Sequence, residues 1–99
     1  MDDIKKSVDE SAFLPSAPDF NFFISTLALQ VSIFLGDMAD PTTNKKTENL
    51  IQAKFIIDTL DMLKEKTKGN LTDDEAKLIE NVLFELKSSY VTKVNKTQK

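Results

Sequence analysis

The stretch from Lys66 to Glu75, Lys-Thr-Lys-Gly-Asn-Leu-Thr-Asp-Asp-Glu, takes the chain out of one helix and into another within a few residues. Gly69 suits the left-handed C′ position that closes a helix, and Lys64, Lys66 and Lys68 gather at the negative end of the preceding macrodipole. Thr72 reads as an N-cap three residues before Glu75, which is the capping-box spacing: each side chain accepts a hydrogen bond from the other residue's amide. Asp73 and Asp74 add negative charge where the next helix is positive. The C-terminal half of the chain is therefore expected to be a helical hairpin.

Apolar periodicity extends both arms of that hairpin. Asn49, with Gln52 three residues later, opens a helix predicted to run to Lys68, and Ala53, Ile56, Ile57, Leu60 and Leu63 share its core face. Lys54, Asp58, Asp61, Glu65 and Lys68 recur along a solvent face, with Lys54 and Asp58 at salt-bridge spacing, while Ile51, Phe55 and Met62 form a further apolar edge. The next helix is predicted over 73–91, with Ala76, Ile79, Val82, Leu83, Leu86 and Tyr90 on one stripe. Phe84 and Val91 stand well off that stripe and mark surface left for another chain.

Residues 20–36 carry no charge at all, between Asp19 as N-cap and Gly36-Asp37 at the far end. Phe20, Phe23, Ile24, Leu27, Val31, Phe34 and Leu35 make one broad face at helical spacing; Phe22, Leu29 and Ile33 make a second. The run is shorter than the roughly 20 apolar residues of a membrane span and lacks the basic residues of an interfacial helix. A helix covered on one side by its own chain and on the other by a partner fits better. The polar segment 37–48, with Pro41 disfavouring helix at Asp40, is expected to be a loop.

Composition narrows the chemistry. The 99 residues contain no His, Arg, Cys or Trp, so imidazole acid–base work, thiolate chemistry and bidentate guanidinium recognition are all missing. No catalytic constellation, no cofactor and no metal site is expected; Asp58, Asp61 and Glu65 read as a solvated helix face, and Ser25, Thr26 and Ser32 as packing hydroxyls. A net charge of −3 disfavours a nucleic-acid-binding body, even though Lys93, Lys96 and Lys99 cluster near the end. The opening MDDIKKSVDE does not resemble a secretion signal, so the expected location is cytoplasmic. Residues 1–18 read as a mobile arm containing Phe13-Leu14-Pro15, 19–91 as one helical domain, and 92–99 as a disordered basic tail.

Several of these segments, taken together, resemble the small bacterial helical family known as domain of unknown function 1844. The resemblance rests on Phe23 to Gln30, on Phe34-Leu35-Gly36-Asp37 followed by Asp40-Pro41, and on Asn49-Leu50, Ala53, Ile57 to Leu60 and Met62 to Thr72. Leu78 to Asn81 and Leu83 to Leu86 continue it, with Lys87 where the family pattern often has Arg. It spans about residues 19–91 and implies a compact bacterial cytoplasmic protein with no assigned activity and no catalytic residues to carry over.

The expected structure is an all-α, three-helix domain ending in a helical hairpin and assembling as a dimeric bundle. Leaving Phe22, Leu29, Ile33 and Phe84 in water forgoes roughly 1.5–3 kcal/mol for each side chain that could be fully buried, so these four form the expected dimer interface. The expected role is a non-enzymatic interaction or scaffolding module that works as a homodimer and binds another, unidentified protein. The alternative is a peripheral membrane or lipid-binding protein using the uncharged helix.

Overall fold

The computed structural model describes residues 14–97, and three helices make the fold: α1 (Phe20–Phe34), α2 (Leu50–Lys66) and α3 (Asp73–Thr97). Most of the expected N-terminal arm (1–13) and the tip of the expected tail (98–99) lie outside the described residues. The Asn49 amide donates to the Phe34 carbonyl at 2.7 Å, tying the end of α1 to the start of α2. Because α2 and α3 form the hairpin, the helices run up, down and up, and each packs against both others.

Each helix begins where a capping side chain satisfies an orphan amide. Asp19 Oδ2 accepts from the Phe22 amide at 2.8 Å, and Asn49 Oδ1 from the Gln52 amide at 3.1 Å. The second cap is only half of the expected box, since the Asn49 amide is already committed to Phe34. At α3 both halves form: the Glu75 amide donates to Thr72 Oγ1 at 3.1 Å and the Thr72 amide to Glu75 Oε1 at 2.9 Å.

The helix ends differ from the sequence reading. α1 stops at Phe34, short of the Gly36-Asp37 pair expected at its far end, because Gly36 adopts φ +82 and closes the helix. The Gly36 amide donates to the Ile33 carbonyl and the Asp37 amide to the Ser32 carbonyl, both at 3.0 Å, which is the Schellman pattern. α2 ends at Lys66 with Thr67 as its cap, so Gly69, at φ +87, lies two residues past the cap and turns the connection rather than occupying C′. α3 continues to Thr97, correcting the expected end near Val91 and the disordered tail from Thr92. Lys93, half-buried, reaches Asp37 Oδ1 at 3.2 Å and Glu48 Oε2 at 3.9 Å, so the loop after α1 holds this extension in place.

The three predicted stripes meet in one core. Ile24, Val31 and Leu35 come from the first helix and its cap, Ala53, Ile56, Ile57 and Leu60 from α2, and Ile79, Leu83 and Leu86 from α3. Phe20, Leu27, Phe34, Leu63, Val82 and Tyr90 pack around the margin. Phe23 departs from expectation: it is 47% exposed. Its position is about 100° from Ile24 around the helix, at the edge of the face, where the groove between the other two helices no longer covers it.

Within the loop, residues 40–45 form a tight turn: the Asp40 amide donates to the Lys45 carbonyl, and Asn44 takes φ +59. The Thr42 hydroxyl and amide both donate to Asp40 Oδ1, at 2.6 and 2.8 Å, and these bonds, the hydroxyl's first, hold the Asp40 carboxyl below its ordinary range. A lowered folded-state pKa means that the turn gains from the carboxylate above its unfolded value and loses that gain as pH falls through the folded one. Carboxyl NMR titration should therefore find Asp40 titrating below a free aspartate. Thr42→Val should move it upward; an unchanged titration in the variant counts against the hydroxyl as the cause.

Candidate interaction surface

No enclosed cleft with convergent chemistry occurs among the described residues. A hollow of about 340 Å³ at the hairpin turn is lined by Lys64, Glu65, Lys68, Gly69, Leu71, Ala76, Ile79 and Glu80, and Lys64 already faces Glu80 at 3.9 Å. Two acidic residues on the outer side of α2 are likewise engaged: Asp58 Oδ2 accepts from Lys54 Nζ at 2.7 Å, and the Asp61 carboxylate meets Lys87 Nζ at 2.9 Å. The hydrogen bond to Asp58, and then its charge, raise the Lys54 pKa. Among the described residues no group of three potential His, Cys, Asp or Glu ligands comes together. Thr26 spends its hydroxyl on the Phe23 carbonyl at 2.7 Å.

What the surface does present is apolar. Ile51 (85% exposed), Phe84 (73%), Phe55 (68%), Val91 and Met62 all stand largely in water on the hairpin. On α1, Leu29 is 46% exposed while Phe22 and Ile33 are half-buried. Phe22 lines a shallow hollow with Leu14 to Asp19, so the segment entering α1 lies beside one end of that stripe.

These residues do not form one surface. On α3, Lys87 reaches α2 at Asp61, whereas Lys93 reaches Asp37 and Glu48 in the loop that follows α1. The two lysines lie about 120° apart around the helix. Phe84 and Val91 fall beyond Lys87, on the side away from Lys93, where they line a hollow with Lys87 and Ser88. Phe84 therefore lies on the outer side of α3 beside the charged face of α2, with Met62 and Phe55 about 100–120° farther round α2 than Asp61, and not with Phe22, Leu29 and Ile33 on α1. Of the four expected interface residues, Phe22, Leu29 and Ile33 share α1, and Phe84 stands apart with Val91 on α3.

A family model described as Domain of unknown function (DUF1844) matches residues 17–92. The chain belongs to this family. No curated protein and no solved structure matches it. The DUF1844 match takes in all of α1 and α2 and α3 as far as Thr92, together with the exposed apolar residues of all three helices. It assigns no activity, so the DUF1844 domain is characterised by its surfaces. None of its described helices is long and apolar enough to cross a membrane.

Proposed function

We propose that this DUF1844 domain is a non-enzymatic protein–protein interaction module that works as a homodimer and leaves a second surface for another protein. The observation that supports the reading is the exposed apolar surface on separate sides of the domain: Phe84 and Val91 on α3, Ile51, Phe55 and Met62 on α2, and the outward stripe of α1. Among the described residues ten buried apolar side chains already fill the core, so the large side chains outside it are surplus to folding. Contiguous exposed apolar surface of this kind is uncommon on a soluble monomer and marks interaction sites. Two-fold self-association is the commonest way to cover such a surface.

Surfaces on different sides suit a scaffold, because covering one leaves another open. With no His or Cys in the chain, imidazole acid–base and thiolate nucleophilic chemistry have no residue to carry them. Sedimentation equilibrium of the full chain over a wide concentration range in detergent-free buffer is the direct test. A reversible dimer is the expected result, and a monomer at every concentration would reject the homodimer.

A further inference from the structure

The outward stripe of α1 has more cover than its place on the helix explains. Phe22, Thr26, Leu29 and Ile33 stand about 140–180° around α1 from the fully buried Ile24, so all four point away from the core. Leu29 is exposed, yet Phe22, Thr26 and Ile33 are half-buried, whereas Ile51, Phe55 and Phe84 on the other helices stand largely in water. Part of that cover is the chain's own approach to the helix. Leu14, Pro15 and Pro18 line a hollow with Phe22. The five positions from Leu14 to Asp19 could carry an extended chain about 16 Å away from the helix, but Leu14 stays beside the first turn. The residues that precede Leu14 are therefore tethered at one end of the stripe.

The sequence on that side suits such a surface. Residues 20–36 carry no charge, so α1 neither repels nor pairs with an ion; it offers apolar side chains with Ser25, Thr26 and Gln30 at the margin. Ile4, Val8 and Phe13 bring three apolar side chains within ten residues, among lysines and carboxylates that can remain in water. Ten positions separate Ile4 from Leu14, about 15 Å at helical rise and more when extended, and Phe22 to Ile33 spans about 16.5 Å. Tethering supplies an effective concentration in roughly the millimolar range, so even a weak contact is occupied.

We infer that the outward stripe of α1 is the docking site of this chain's own residues 4–13, which run back from Leu14 toward Ile33 and set Val8 near Leu29 and Ile4 near Ile33. The inference goes beyond the homodimer reading and does not depend on it. It takes α1 out of the open surface and leaves Phe84 and Val91 on α3, and Ile51, Phe55 and Met62 on α2, for other chains. A protein that binds α1 must first displace the tethered segment.

Since the chain has no cysteine, Ser7→Cys gives a single attachment point for a nitroxide on the full-length, isotope-labelled protein. In its NMR spectrum the amide signals of Leu29 and Ile33 should lose most of their intensity, and those of Phe55 and Phe84 should keep most of theirs. Adding Ile4→Asp and Val8→Asp to the same chain should restore the α1 signals with the helical circular dichroism unchanged, because tethering alone does not hold the segment on the stripe. A mixture of nitroxide-bearing chains with isotope-labelled chains that lack the nitroxide should show no loss on α1. Undiminished Leu29 and Ile33 signals, or a loss that survives the two aspartates, would overturn the docking. A loss that appears in the mixture would overturn it too, by placing a second copy's segment on α1. None of these outcomes bears on the homodimer, which sedimentation equilibrium decides separately.

Discussion

Leu60→Ala is expected to destabilise the domain by about 2–5 kcal/mol. Leu60 is fully buried at the centre of α2, in a core to which all three helices contribute. Truncation removes its transfer energy and leaves a cavity that packed neighbours fill only in part. A domain of this size has about 5–15 kcal/mol in total and loses roughly 4–8 °C of melting temperature per kcal/mol, so a fall of about 8–40 °C should follow. Phe55 on the same helix is the control. At a concentration low enough to keep the chain monomeric, Phe55→Ala should cost under about 1 kcal/mol, because that ring is already mostly in water. Thermal and chemical denaturation of the two variants reads the rotation of α2 directly; equal losses would mean that the helix presents a different face to the core.

That rotation is legible in the amino-acid sequence. The core stripes of α2 and α3 follow from spacing alone, since burial on one side of a helix leaves a period of 3.6. The hairpin follows from the chemistry of Thr72, Glu75 and Gly69, each of which has a local job that few other residues perform. The end of α3 is not legible: from Thr92 onward the chain is polar, and what holds it is the contact of Lys93 with Asp37 and Glu48, more than forty positions away in sequence. Long-range ion pairs leave no periodic trace. The grouping of Phe84 with the α1 stripe fails for a related reason. Spacing gives the angle of a residue on its own helix, but which neighbour lies beside that angle is a property of the bundle, here revealed by the reach of Lys87 to Asp61. Phe23 shows the same limit at smaller scale, an edge position whose cover depends on how far the neighbouring helices extend.

Gly36→Ala should be far more damaging than Gly69→Ala, although both glycines have nearly the same backbone angle, φ +82 and +87. An L-residue in the left-handed region costs roughly 1–2 kcal/mol, partly recovered because alanine has fewer unfolded conformations to lose. That leaves about 1 kcal/mol for Gly69→Ala, whose added methyl would meet no atom within 4 Å. At Gly36 the methyl carbon would lie 2.9 Å from Glu48 Cγ and 3.5 Å from the Thr47 carbonyl oxygen. Moving that chain aside also disturbs the approach to Asn49, whose amide joins α2 to the end of α1. Overpacking adds about 1–3 kcal/mol, for a total of roughly 2–4 kcal/mol, readable as a shift in the urea midpoint. Glu48→Ala removes the obstructing methylene, so in the Gly36→Ala background it should restore most of the difference between the two glycines. A double-mutant cycle measures that coupling; additive losses would show that backbone strain alone, and not the close approach of Glu48, makes glycine necessary at this turn.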